Sequence, residues 1–194
     1  MNPLYDIFSL KELFKLESGS VILDPDVAYE TFGTLNKDGS NAILVCHALT
    51  GNSHVTQSNT NTSPGWWDEI VGPNKAINTN DYFVICSNIL GSCKGSTGPT
   101  HNNPKTNKTY GLEFPIITIG DMVRIQKELI DYLGIKKLHA VVGPSMGGMQ
   151  ALHWAIKFPD RLEKCVVIAS SASLSAQALA FGTIGRNAII SDKQ

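Results

Sequence analysis

Four short stretches of the chain are almost unbroken runs of apolar residues: Ala42-Ile-Leu-Val-Cys46, Tyr82-Phe-Val-Ile-Cys86, Leu138-His-Ala-Val-Val142 and Cys165-Val-Val-Ile-Ala169. Runs of this kind suit strands buried on both faces of a sheet. Val27-Ala-Tyr-Glu-Thr-Phe-Gly33 instead alternates apolar and polar positions, which predicts a half-exposed strand near a sheet edge. Asn36-Lys-Asp-Gly-Ser40 has turn chemistry, and Leu10 to Leu16 reads as a short amphipathic or extended lead-in. Between the later runs the period changes. Met122, Ile125, Leu129 and Leu133 form one stripe of a helix from Asp121 to Leu133, with Gly134 as its stop. A second helix runs from Met146 to Phe158 and ends before Pro159. Strand, helix, strand, helix, strand is the grammar of an α/β fold with a mostly parallel sheet and flanking helices. Chemistry in such sheets sits beyond the carboxyl ends of the strands, here after Cys46, Cys86, Val142 and Ala169.

One of those positions carries a motif. The strand ending at Val142 leads into Gly143-Pro144-Ser145-Met146-Gly147-Gly148 and then a helix. With 17 glycines in 194 residues, G-x-S-x-G arises by chance in roughly one such chain in eight, so the pattern alone says little. Its setting says more. A tight turn between strand and helix presents a serine hydroxyl above the sheet, and small flanking residues avoid Cβ clashes. Ser145 is thus the candidate nucleophile. The helix that follows aims its N–H groups at an oxyanion forming there, and Met146 N–H is one expected donor. The second should come from the loop after an earlier strand, His47-Ala-Leu-Thr-Gly51, where Leu49 is the candidate.

Composition narrows the remaining classes. A formal net charge of -1 lacks the positive field on which nucleic-acid binding depends. No run of about 18 apolar residues predicts a membrane span, and Met1-Asn-Pro-Leu-Tyr-Asp6 lacks a signal-peptide layout, so the cytoplasm is expected. Cys46, Cys86, Cys93 and Cys165 contain no C-x-x-C pair, which argues against a disulfide scaffold or a zinc site. His47 and His54 flank the oxyanion loop without a third ligand and read as wall residues rather than metal ligands. Gly91-Ser-Cys-Lys-Gly-Ser-Thr-Gly98 is not a phosphate loop, because Lys94 is followed by Gly95 and no helix pattern follows; a glycine-rich lining loop is expected instead. Trp66-Trp67 reads as a packing anchor. His153, two turns along the second helix, should face away from Ser145.

The motifs together resemble homoserine O-acetyltransferase. Cys46-His-Ala-Leu-Thr-Gly-Asn-Ser-His54, Gly65-Trp-Trp-Asp68, Gly91 to Pro99, Gly120-Asp-Met-Val123, Gly143-Pro-Ser-Met-Gly-Gly-Met-Gln-Ala-Leu152 and Gly185-Arg-Asn-Ala-Ile189 carry the resemblance, in order, from about Val27 onward. It implies an α/β-hydrolase fold with a helical lid. Residues 1–172 would form the N-terminal part of the core and 173–194 the start of an incomplete lid. It also implies acetyl transfer from acetyl-CoA, a cosubstrate rather than a bound cofactor, to L-homoserine through an acyl-serine in methionine biosynthesis. No metal is implied. Partners implied are those small molecules, a family-like homodimer, or a second chain supplying the missing C-terminal part. The family's catalytic aspartate and histidine lie beyond Gln194, so the chain alone is expected to be inactive. An esterase on the same fold, in which water replaces the acceptor, and a non-catalytic fragment or half of a split enzyme remain the alternatives. Two positions depart from the family pattern: Pro144 stands where glycine is usual, and Phe181-Gly-Thr-Ile-Gly-Arg186 replaces Phe-Asn-Glu-Val-Gly-Arg.

Overall fold

The computed structural model describes residues 4–192, so Met1 to Pro3 of the amino-terminal stretch and the last two residues of the lid region lie outside it. Six strands form the main sheet: β1 (Asp6–Ser9), β2 (Asp26–Phe32), β3 (Ala42–Val45), β4 (Phe83–Ser87), β5 (Leu138–Pro144) and β6 (Leu162–Ile168). Their spatial order is β1-β2-β4-β3-β5-β6. The ladders from β4 through β3 and β5 to β6 are parallel, whereas β1 and β2 add an antiparallel margin. Helices α1 (Ile119–Tyr132) and α2 (Met146–Lys157) are the crossovers flanking β5, and α3 (Ala176–Ser191) follows β6.

The central strands are buried because both their faces are covered. Leu44, Cys46, Ile85 and Val141 pack with Val123, Ile125 and Leu129 of α1 and with Trp154 of α2. Ile43, Val45, Val84, Cys86 and Val142 face the other way, against Val55, Val71 and the Trp66–Trp67 pair. Those indoles stack with ring centres 5.2 Å apart, and Trp66 Nε1 donates to the Asn52 carbonyl at 2.9 Å, as expected of a packing anchor. The short lead-in is extended: Leu13–Lys15 pairs with Val21–Leu23 and turns Phe14 and Ile22 into the core.

Two expectations are corrected. The alternating segment is not half-exposed: Val27 to Glu30 are all buried in β2. The loops at Ser53–His54 and Gly95–Ser96 pack on Glu30 and Ala28, so the alternation in its sequence does not mark a wet face. Conversely, β6 is not buried on both faces. Only Leu162 is buried in it, while Val166 and Ile168 are exposed, because β6 pairs with β5 alone among the described strands.

Helix α1 begins at a capping box, with Thr118 accepting from Asp121 N–H and Asp121 accepting from Thr118 N–H. It ends as read, with Gly134 in the left-handed region at φ +74°. Its polar interior was not anticipated. Gln126 Oε1 accepts from Trp154 Nε1 at 2.9 Å, and Gln126 Nε2 donates to Gln150 Oε1 at 2.7 Å, all fully inside. The Cys46 thiol also points at Gln126 Oε1, and burial pushes its pKa up to about 12. This network ties α1 and α2 to the end of β3. Replacing Gln126 by leucine strands the Trp154 N–H and the Gln150 carbonyl in a dry interior. Urea denaturation of Gln126→Leu should show a loss of about 1–3 kcal/mol. A loss of about 0.5 kcal/mol or less would mean that the amides contribute no more than apolar filler.

Candidate active site

The end of β5 is where the backbone departs most from ordinary geometry. Ser145 has φ +54° and ψ −120°, a conformation that side-chain-bearing residues avoid and that costs roughly 1–3 kcal/mol. Its side chain is exposed at the carboxyl edge of the sheet, and α2 starts at Met146. Two bonds fix the kink. Ser145 N–H donates to the Ile168 carbonyl at 3.0 Å, and Gly148 N–H donates back to the Ser145 carbonyl at 2.9 Å. Ala169, the next residue after β6, is also left-handed at φ +47°, so the neighbouring strand ends bend together.

The glycines around the serine are required by contact. A Cβ on Gly147 would sit 1.9 Å from the Cys46 carbonyl oxygen, and one on Gly143 would sit 2.1 Å from the Gly147 oxygen. On Gly148 it would meet Ser170 Cβ at 2.5 Å. The start of α2 is therefore pressed against the end of β3, closer than any residue with a side chain allows. Pro144 fits this frame. It is the last residue of β5, beyond the last observed β5–β3 bond, from Cys46 N–H to the Val142 carbonyl, so its missing N–H removes at most one bond at the end of the ladder.

That contact carries the loop after β3 to the serine. Cys46 and His47 touch α2, and the turn Ala48 to Gly51, closed by Gly51 N–H to the Ala48 carbonyl at 2.9 Å, follows at once. Leu49 is in that turn with its side chain 74% exposed, so its backbone rather than its side chain is what the loop offers. The Met146 N–H, first in α2, has no intrahelical acceptor. Ser145, Met146 and the Leu49 turn thus share one edge of the sheet. Among the described residues, none hydrogen-bonds the Ser145 hydroxyl.

The two histidines that flank the Leu49 turn differ in their partners, and His47 Nε2 is buried without one among the described residues. His47 is buried; burial lowers its pKa, and Nδ1 meets the Ala48 carbonyl at 2.7 Å. His54 is held between Glu30 and the Ser63 carbonyl. No group of three metal-ligating side chains occurs among the described residues. The glycine loop differs from expectation in what it approaches. Gly98 is hemmed in by the Ser92 carbonyl, and Gly95 by Ala28 and Tyr5, so its tight contacts are to the chain itself. Lys94 stays exposed. In α3 every residue from Ala176 to Ser191 is exposed, including Leu179, Phe181, Ile184 and Ile189. Gly182 and Gly185 do not interrupt that helix, and Arg186 forms no ion pair among the described residues.

A parallel sheet, a strained serine between strand and helix, and a glycine seat against the neighbouring strand define a class. The chain belongs to the alpha/beta hydrolase fold family, whose pattern matches residues 41–184. Within it, the chain is 56% identical over 186 residues to a homoserine O-acetyltransferase of Methanobrevibacter ruminantium, covering 95% of this chain and 38% of that protein. Two solved structures are also similar. The homoserine O-acetyltransferase of Bacillus anthracis has a TM-score of 0.82 at 39% identity, covering 89% of this chain and 48% of that one. Esterase E22 has a TM-score of 0.88 at 38% identity, covering 97% and 53%. The chain therefore spans well under two thirds of the relatives it matches.

The seat of α2 is directly testable. Gly147→Ala must push the helix off the Cys46–His47 backbone and should lose about 1–3 kcal/mol in chemical denaturation. Gly182→Ala in exposed α3, where nothing lies within 4 Å, should leave the unfolding midpoint unchanged and raise helicity slightly. Equal midpoints for the two variants would show that the seat yields without cost.

Proposed function

We propose that this chain carries the nucleophile and oxyanion elements of a homoserine O-acetyltransferase, in which Ser145 takes acetyl from acetyl-CoA and passes it to the L-homoserine hydroxyl. The observation that supports this most is the strained Ser145 at the head of α2, in a chain 56% identical to an enzyme of that name. In this reading Ser145 Oγ attacks the thioester carbonyl, and the tetrahedral oxyanion is held by the N–H groups of Met146 and Leu49. The bond to sulfur breaks, coenzyme A leaves, and homoserine attacks the acetyl-serine through the same oxyanion site. Among the described residues none hydrogen-bonds the Ser145 hydroxyl, and in this reading the base that takes its proton and the acid that orients it belong to the part of the longer relatives that this chain does not cover. Residues 1–172 are then core and 173–194 lead into a lid, with the whole acting in methionine biosynthesis in the cytoplasm. No cofactor is held permanently.

A second reading shares the first half. Esterase E22 is as similar in sequence as the Bacillus acetyltransferase, and an esterase differs only in letting water attack the acyl-serine. The curated relative at 56% identity favours transfer. Supplying acetyl-CoA with and without homoserine to a complete form of the enzyme separates the two, through acetyl-homoserine against acetate.

In such a form, Ser145→Ala should abolish the acetyl-enzyme seen by mass spectrometry while binding persists. An acetyl label retained on the variant would place the nucleophile elsewhere. The oxyanion assignment predicts a split between two substitutions at one position. Leu49→Ala keeps the backbone donor and should cost little. Leu49→Pro removes it and should cost about 2.7–4 kcal/mol of transition-state stabilisation. Small, equal effects in folded protein would exclude Leu49.

A further inference from the structure

Two residues beyond the Ala48–Gly51 turn, the chain goes back inside. Ser53, Val55 and Thr56 are buried, and the segment is held from both sides. Trp66 N–H donates to the His54 carbonyl at 3.2 Å and Trp67 N–H to the Val55 carbonyl at 2.9 Å. On the sheet side the holder is Glu30, in the middle of β2 and 7% exposed. Its Oε1 accepts from Ser53 Oγ at 2.9 Å, and its Oε2 lies 2.8 Å from His54 Nδ1. The other ring nitrogen, Nε2, lies 2.9 Å from the Ser63 carbonyl.

This geometry fixes a charge state. A neutral imidazole has one N–H and one lone pair, so it can satisfy one acceptor and must turn its lone pair on the other. Glu30 Oε2 and the Ser63 oxygen both accept. Only the imidazolium donates to both. The Asn61 amide nitrogen is also near Nδ1, at 3.2 Å, but the shorter contact with the carboxylate takes the ring proton. Burial pushes the His54 pKa down, and the bonds to Ser63 and Glu30, with the more distant Asp68, outweigh it and raise it. Asp68 itself is engaged by Thr56 Oγ1, by the N–H groups of Gln57 and Gly65, and faces Lys75.

We propose that Glu30 and His54 are a positioning pair for the oxyanion loop: the doubly protonated His54, clamped between Glu30 and Ser63, sets where the Leu49–Asn52 turn ends. The turn hangs between two buried anchors, His47 on one side and Ser53–Val55 on the other. Asn52 transmits the second anchor, since its Oδ1 accepts from His54 N–H at 2.8 Å and its carbonyl accepts from Trp66 Nε1. Deprotonating His54 forfeits one of its two ring contacts. The Ser53–His54 anchor then loosens, and the slack passes to residues 49–52. The tie to catalysis rests on the role proposed for Leu49; the tie between charge and loop order does not.

The sign follows from the raised pKa. The clamp is complete below the ordinary histidine value of about 6.5 and is lost as pH rises through the higher folded-state value. The test uses the 194-residue chain and needs no turnover. Imidazole nitrogen shifts of His54 should show both nitrogens protonated at pH 6.5 and a midpoint above that. Amide exchange of Gly51 to Val55, corrected for its intrinsic pH dependence, should quicken at least tenfold across the same midpoint. Glu30→Gln should lower the midpoint and bring the faster exchange to neutral pH, with exchange in α1 unchanged. A neutral His54 tautomer at pH 6.5, or exchange in the loop that ignores the His54 midpoint, would overturn the proposal. If Glu30→Gln does not fold, the wild-type titration decides alone. Failure of Ser145 to accept acetyl, with this coupling intact, would strike the acyltransfer reading and leave the pair standing.

Discussion

The approach of α2 to the end of β3 is the constraint on which the site depends. Ser145 sits in a backbone conformation that would relax if the helix could slide outward. It cannot slide, because Trp154 and Gln150 hold α2 to Gln126 of α1. It does not need to, because Gly147 and Gly143 remove the atoms that would collide. The strain at one serine is thus offset by an apolar core and by a dry network of amides two turns away. The same approach places the Cys46–His47 peptide, and with it the Ala48–Gly51 turn, beside the first residues of α2. Ser145 and the turn that holds Leu49 are neighbours because one packing contact makes them so.

Much of this was legible in the chain itself. Apolar runs marked the parallel strands, and Gly134 and Pro159 marked the helix ends, because burial and backbone restriction act locally. The elbow was legible for the same reason: a residue without a Cβ is needed wherever backbones meet closely, and sequence displays glycine openly. What was not legible depends on a distant partner. Glu30, placed among apolar residues, reads as the wet half of an alternating strand. It is buried because Ser53 and His54, 23 and 24 residues on, bring polar partners to its two carboxylate oxygens. Gln126 and Gln150 likewise read as the polar margins of amphipathic helices, yet they face each other. The alternation rule equates polar with exposed, and it fails where polar groups satisfy one another inside.

Strand β6 and helix α3 fail the rule from the opposite side. Val166 and Ile168 in β6 and Leu179, Phe181, Ile184 and Ile189 in α3 stand exposed, since burial is a property of neighbours rather than of residue type. A strand with one paired edge and a helix with no covered face are costly to leave in water. The relatives that this chain matches are more than twice its length in the case of the Methanobrevibacter enzyme, so the family supplies further chain with which such surfaces can pack.

These observations bear on how one scaffold hosts both transfer and hydrolysis. In the proposed reading, what Ser145, Met146 and Leu49 supply serves formation and breakdown of an acyl-serine, and both reactions pass through the same oxyanion twice. The elbow is therefore indifferent to what attacks second. Discrimination must come from what reaches the acyl group: a site that admits an amino-acid hydroxyl and excludes water transfers, and an open one hydrolyses. In this chain the elbow lies at the sheet edge, and every residue of α3 is exposed among the described residues. Enclosing the acyl-serine is then a task for elements other than those that form it. Esterase E22 and a homoserine O-acetyltransferase resemble this chain at 38% and 39% identity, so likeness over these residues does not by itself separate hydrolysis from transfer.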